Sequence, residues 1–233
     1  MAGADPHLYE LRIYAIAPGR LPDMARRFRD DIRTLFPRHG IRIIGSWTAL
    51  AGPQMPTFVY LMRWSGLEER SSAFASFVAD PDWQSARTRT NGPSELVEHY
   101  EIQFLRALDS AGIAEPMALD EDELFELALH PAANGQAQAM RDALLEGELP
   151  ARVRGGARVV GAFEAVTGPH LPSLVSLVRW PDATRWERAQ VEMDEDGALS
   201  ARVSADIAQR GRSVLGHADR YLMRPVDVSW HKA

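Results

Sequence analysis

Residues 9–14, YELRIY, alternate strictly. Tyr9, Leu11 and Ile13 fall on one face of an extended chain, and Glu10, Arg12 and Tyr14 on the other, the period of two that marks a β-strand with two unlike faces. The period then changes. Within residues 18–40, Leu21, Met24, Phe28, Ile32 and Leu35 recur at steps of three or four, which predicts an amphipathic helix stopped by His39-Gly40. Strand character returns at 41–49 and 57–64, either side of a turn from Gly52-Pro53 to Pro56. Two short helices are expected at 67–78 and 81–90, the second opened by Asp80-Pro81 because proline suits a first helical turn. A fourth strand is expected at 97–105.

The whole pattern then recurs. GIRIIGSWTALAGPQMPTFVYLMRW (40–64) aligns without a gap on GARVVGAFEAVTGPHLPSLVSLVRW (156–180), with eleven identities in twenty-five positions at an offset of 116. The same offset carries YELRIY onto FELALH (125–130), so Glu10 lies over Glu126, Arg12 over Ala128 and Tyr14 over His130. The second copy predicts helices near 134–153, 183–191 and 198–213 and a last strand near 218–224. The expected organisation is one module over 1–108, a linker over 109–123 rich in small and acidic residues, and a second, diverged module over 124–233. Each reads β-α-β-β-α-β, the ferredoxin-like order, whose helices cover one face of a four-stranded antiparallel sheet. The fold class is therefore α+β: two tandem modules pressing their open faces together into an intrachain α/β barrel, with a cavity expected between the sheets.

Composition narrows the chemistry. With 45% apolar and 25% charged residues the chain of 233 residues is globular in type, and a formal net charge of −6 without a basic stripe argues against nucleic acid as a partner. No cysteine is present, which removes disulfides, thiolate metal sites and a cysteine nucleophile. A secretory leader or a bilayer-spanning run is not visible, so a cytoplasmic protein that does not engage membranes is expected. Dinucleotide, P-loop and H-E-x-x-H motifs are missing, and MDEDG (193–197) lacks the later ligands of a calcium loop and reads as a solvated turn.

The residues YELRIY, PGRL, RHGIRIIGSW and ADPDWQ (79–84) together resemble the NIPSNAP family of the dimeric α/β-barrel superfamily, well over 8–105 and more weakly over 124–224. The second copy departs from it at Ala128, Gly155 and Phe163, and the ADPDW motif has no counterpart near 195–200. The resemblance implies an α+β barrel with a small-molecule site. The wider superfamily includes cofactor-free monooxygenases, isomerases, cyclases, haem peroxidases and non-enzymes, and fold alone does not choose among them.

If Leu11 and Ile13 pack on helices, Glu10, Arg12 and Tyr14 face the barrel interior. His99, Glu101 and Gln103 of the fourth strand join them there, and Val59 and Leu61 turn to the helices so that Phe58, Tyr60, Met62 and Trp64 line the cavity. Trp47 and Thr48 cannot both face in. From the second copy the inward set is Glu126, Ala128 and His130, with Glu164, Ser176 and Arg220. The result is one asymmetric pocket. Its candidate acid, base and anion-stabilising groups are Glu10, Arg12, Tyr14, His99, Glu101, Glu126 and His130, and its candidate walls are Phe58, Tyr60, Met62, Trp64, Gln103 and Ser176. Histidine titrates near neutrality and a desolvated carboxyl titrates high, the range useful for proton transfer. Against this, Glu10 and Arg12 read equally as a structural ion pair, and His39 as a helix cap. Three functions remain open. One is a cofactor-free isomerase, cyclase or monooxygenase for a small aromatic or polyketide-like metabolite. The others are a non-catalytic binding or interaction module and a haem-binding barrel. A homo-oligomer is compatible with each.

Overall fold

The structure, a computed structural model, describes residues 5–108, 122–132, 134–215 and 217–226. Most of the expected linker, 109–121, lies outside the described residues.

Strand β1 (Leu8–Ile16) leads into a long helix that starts as α1 (Leu21–Arg27), widens into a π-helical stretch over Phe28–Ile32, and ends as α2 (Arg33–Arg38). Then come β2 (Arg42–Ala51), β3 (Thr57–Trp64), α3 (Leu67–Ala79), α4 (Pro81–Asn91) and β4 (Val97–Ala107). The second half runs β5 (Leu124–Pro131), α5 (Ala137–Ala143), a π-helical stretch over Leu144–Glu148, α6 (Leu149–Arg154), β6 (Arg158–Ala165), β7 (Ser173–Trp180), α7 (Ala183–Asp194), α8 (Gly197–Arg210) and β8 (Asp219–Pro225). Asp80 caps α4 by accepting from Asp82 N, as its place before Pro81 suggested. Asp196, within MDEDG, caps α8 through Ala198 N and Leu199 N.

The eight strands form one closed antiparallel barrel in the order β1-β3-β2-β8-β5-β7-β6-β4. Among the described residues six helical segments, counting each interrupted helix once, accompany it. Two seams join the halves: β2 to β8, where Trp47 pairs with Pro225, and β4 to β6, where Leu105 pairs with Ala165. No helix among the described residues is long and apolar enough to cross a membrane.

The barrel is filled. Tyr9, Leu11, Ile13, Trp47, Val59 and Leu61 of the first half interlock with Phe125, Leu127, Phe163, Val175, Leu177 and Met223 of the second as one apolar cluster. The residual void is about 10 Å³. An eight-stranded barrel has room for its own side chains or for one small ligand, and here large side chains take the space. Gly45 serves this packing: a Cβ there would stand 2.4 Å from the Trp47 ring, so only glycine lets the indole fold back along its own strand.

This packing corrects the expected orientation of the strands. Leu11 and Ile13 point into the barrel, and register carries Leu61 and Val59 with them. Glu10, Arg12 and Tyr14 point outward beneath the helices, on the same face as Met62, Tyr60 and Phe58. Both faces of β1 are buried, so polarity could not tell inside from outside. The outward face keeps its charges because they satisfy one another there.

Candidate functional site

The outer face of the first-half sheet and helices α1–α4 enclose a cavity of about 520 Å³. Its walls are aromatic: Phe28 and Phe36 from the long helix, Phe74 and Phe77 from α3, Trp83 from α4. Val78, Arg87, Glu95 and Tyr100, all solvent-exposed, surround its mouth. The π-helical stretch begins at Phe28, where both Arg27 and Phe28 are buried and line the cavity. An inserted π turn commonly re-aims side chains in this way at sites.

A polar cluster sits in one wall. Arg12 donates from Nη1 to the hydroxyls of Tyr14 (2.9 Å) and Tyr60 (3.0 Å), and the two hydroxyls lie 2.7 Å apart. On its other side Arg12 donates from Nε (2.8 Å) to Glu10, and Nη2 lies 2.6 Å from the same carboxylate. Glu10 is fully buried and also accepts from Trp64 Nε1 (3.0 Å) and from Arg70 Nε (3.1 Å) and Nη2 (3.2 Å). Both of its oxygens are occupied by donors, and two guanidinium groups neutralise it. Glu10 therefore positions Arg12 and has no lone pair turned to a ligand.

Burial opposes the charge on Arg12, but its oxygen neighbours Tyr60, Tyr14 and Glu10 outweigh burial and hold its pKa above the ordinary value. Burial pushes the Tyr60 hydroxyl well above its usual value, so it stays a phenol. Each tyrosine carries one hydroxyl hydrogen. One of the two lies in the Tyr14–Tyr60 bond, which leaves the other to donate into the cavity. The site thus offers a cation and a free O–H donor against an aromatic wall, a combination suited to a phenolic or enolic oxygen on a flat ligand.

Of the other candidates, Phe58 packs on Phe28 (ring centroids 4.4 Å), and Met62 and Trp64 belong to the apolar layer beneath the helices. None of the three lines a cavity between the sheets, because that space is filled. His99 is exposed. Glu101 and Gln103 do lie on the interior face of β4, opposite Ile13 and Leu11, but at one end of the barrel. There they line a separate cavity of about 260 Å³ with His170, Asp219 and Tyr221.

The second-half candidates gather in a cluster of their own, beneath the second-half helices. Glu126 accepts from Arg152 (2.7 Å), Arg220 (3.1 Å), Trp180 and Trp186 (both 3.2 Å). Glu148 accepts from Arg152 (3.0 Å) and Arg220 (2.9 Å). His130 is fully buried, with Nε2 3.4 Å from Ser176 Oγ and Nδ1 without a partner. Burial brings His130 down to about 4, so it is neutral at pH 7. Burial alone would raise the Glu148 carboxyl, but the charges of His130, Arg220 and Arg152 outweigh it and hold it at about 2. Glu164 turns to Arg141 at 2.6 Å. The expected single pocket that gathers all these candidates is therefore not present: the cavity that both halves do line, at one end of the barrel, takes only Glu101 and Gln103 of them. The first half has an aromatic cavity with a polar cluster, and the second has an ion network where Glu148 and Arg152 stand at the offset positions of Ile32 and Phe36.

Sequence reasoning did not single out Arg27 or Phe74, and it named Phe28 only as part of the apolar stripe of its helix. Arg27 had a signal: it is three residues after Met24, on the apolar stripe of its helix. His39 does more than end a helix, since its ring joins Asp80 (2.7 Å) and Ser76 (2.8 Å) and ties α2 to α3 and α4. Trp83 stacks on Phe77 (4.6 Å) and lines the cavity. Among the described residues no group of histidines and carboxylates is arranged to hold a metal.

Residues 9–111 match the NIPSNAP family model. No curated protein matches the chain. Among solved structures, a monooxygenase candidate from Lactobacillus acidophilus NCFM superposes with a TM-score of 0.61 at 9% identity, covering 96% of this chain and 95% of that one. A second monooxygenase candidate, from Fusobacterium nucleatum subsp. nucleatum, gives 0.61 at 6% identity over 97% and 94%. An anthrone oxidase-like protein gives 0.56 at 15% identity over 98% and 97%. At these identities the likeness is one of fold.

Proposed function

From the premise that residues 9–111 of this chain belong to the NIPSNAP family, we propose that the cavity beneath α1–α4 binds a small, flat, phenolic or enolic metabolite and acts on it. The observation that carries this reading is the Arg12–Tyr14–Tyr60 cluster, a cation and a free hydroxyl donor set in an otherwise aromatic cavity. Such an arrangement stabilises the anion formed when a ring-activated carbon or hydroxyl loses its proton. In the protein interior a preformed donor set acts more strongly than it would in water.

The reaction class proposed is oxygenation of an electron-rich aromatic ring by dioxygen, in line with the names of the structural neighbours. The substrate anion stabilised by Arg12 gives electrons to dioxygen, a carbon–oxygen bond forms at the activated methylene, and loss of water leaves a carbonyl. The balance is CH₂ + O₂ → C=O + H₂O: the proton first lost from the methylene returns to the peroxide oxygen, and both methylene hydrogens leave as water. The chain's residues bind the ring, hold the oxyanion and exclude bulk water. Binding without turnover is the second reading, favoured by the full occupation of Glu10, which leaves no free carboxylate base in the wall. The haem reading has less to stand on, because among the described residues no histidine lines this cavity.

The repeat at offset 116 supports a further part of the proposal: the chain is two fused modules, 1–108 and 124–233 joined over 109–123, and the second has exchanged its cavity for an ion network. The test is oxygen uptake and product formation with 1,8-dihydroxyanthrone as probe. Turnover that falls about 100-fold in Arg12→Gln, the order expected when one anion-stabilising donor is removed, and also falls in Tyr14→Phe and Tyr60→Phe supports the enzyme reading. Saturable binding without oxygen uptake supports the binding module, and no binding removes the cavity as a site.

A further inference from the structure

Arg27 is the outlying charge of the cavity. Only 6% of the residue is exposed. It donates from Nε to Thr90 Oγ1 (2.7 Å) and from Nη2 to Asn91 Oδ1. Among the described residues no carboxylate lies within 4 Å of it, whereas the buried glutamates Glu10, Glu126 and Glu148 are each held by two arginines. Its guanidinium carbon stands 5.6 Å from the centroid of the Trp83 ring. The nearest negative charges act through space without touching it: Glu95 is engaged by Arg87 and Asn91, and Asp31 by Arg89. Burial draws Arg27 down to about 10, which still leaves it charged at neutral pH.

A buried guanidinium with only neutral partners is costly to maintain. Thr90 and Asn91 occupy Nε and Nη2, and among the described residues Nη1 has no hydrogen-bond acceptor. The cavity is where a counter-charge would arrive. Three guanidinium groups, Arg12, Arg27 and Arg87, line it against one carboxylate, Glu95, in a chain whose net charge is −6. The local charge therefore runs opposite to that of the whole molecule.

We infer that Arg27 is a ligand-recognition residue and that the metabolite bound here carries a carboxylate, which Arg27 holds while the ligand's hydroxyl or enol oxygen meets Arg12, Tyr14 and Tyr60. The ligand class is a hydroxyaryl carboxylic acid, acidic at one end and phenolic at the other, with its ring among Phe28, Phe74 and Trp83. Arginine suits this task because its planar fork matches a carboxylate in two parallel hydrogen bonds. This inference rests on the reading of the cavity as the ligand site and adds the second recognition point.

The test compares two probes of one ring system, 6-hydroxy-2-naphthoate and 2-naphthol, by isothermal titration at pH 7.5. The unaltered protein is expected to bind the naphthoate roughly tenfold to a hundredfold more tightly, the worth of a charge-assisted contact. Arg27→Gln is expected to erase most of that preference while naphthol affinity falls less than about threefold, and Arg27→Lys to keep part of it. Equal affinity for the two probes in the unaltered protein overturns the carboxylate assignment and leaves the cavity reading standing. So does an undiminished preference in Arg27→Gln. Failure of both probes to bind overturns the cavity reading and this inference together. Because the first comparison uses no variant, it decides the question even where Arg27→Gln does not fold.

Discussion

Glu10→Gln separates a positioning carboxylate from a catalytic one. The carboxylate is wholly buried and holds Arg12, whose side chain is 9% exposed, and Arg70, whose side chain is 25% exposed. An amide in its place keeps one acceptor oxygen and turns an NH₂ towards donors. Breaking a buried ion pair from one side costs about 3–5 kcal/mol, because the remaining charge is left uncompensated. Arg70 can swing towards water and recover part of its hydration, while Arg12 cannot, so the expected loss lies at the lower end, about 3 kcal/mol. Urea unfolding followed by the fluorescence of the six tryptophans measures it. With a slope of about 1–3 kcal/mol per molar, the midpoint falls by roughly 1–3 M. Ligand binding weakens as well, since Arg12 is no longer held against the two hydroxyls. A variant that loses less than about 1 kcal/mol and still binds ligand normally would refute the claim that Glu10 holds Arg12 in place.

Leu61→Ala opens a hole in the filled barrel rather than in the ligand cavity, so stability falls by about 2–5 kcal/mol in the same urea assay with little change in ligand affinity per folded molecule. Gly45→Ala drives a methyl group into the Trp47 ring, and a void of about 10 Å³ cannot take up the displaced indole; thermal unfolding registers a loss of about 1–3 kcal/mol. His130 is held neutral by burial, with a folded value of about 4 against 6.5 in the unfolded chain. The unfolded state therefore binds the extra proton, and stability declines as pH falls from about 6.5 to about 4, by up to roughly 3 kcal/mol. His130→Gln flattens that part of the stability–pH curve and shrinks the further decline below about 4.5 set by Glu148, because the His130 charge is one of those that hold that carboxyl down; Arg220 and Arg152 preserve the rest.

Strand and helix were legible because their periods are unlike: YELRIY alternates, and Met24, Phe28, Ile32 and Leu35 follow one stripe. The order of strands and helices along each half is the one the sequence pattern predicts. Orientation was not legible, because Tyr9, Leu11 and Ile13 are buried in the barrel while Glu10 and Arg12 are buried beneath helices. The usual equation of polar with outward then loses its force. Register would have exposed the error, since Leu11 stands opposite Gln103 and Arg12 opposite Ile102, which puts Glu10 and Glu101 on different faces of the sheet. Arg27 is one of three arginines in RRFRDD, and its place three residues after Met24 sets it apart from Arg26 and Arg29: it is buried and they are exposed. The asymmetry between halves was visible as divergence at Tyr60/Ser176 and Arg12/Ala128. Its meaning, a cavity on one side and an ion network on the other, depends on helix residues such as Glu148 and Arg152 that the strands alone do not reveal.

The β2–β8 and β4–β6 seams lie within a single polypeptide. Closing the ring is thus a first-order event, and dilution cannot pull the halves apart as it would two separate subunits. A linked half also need not keep a working pocket in order to remain in the assembly. It is free to serve as scaffolding, so that a ring closed from two linked halves can carry its aromatic cavity on one flank only.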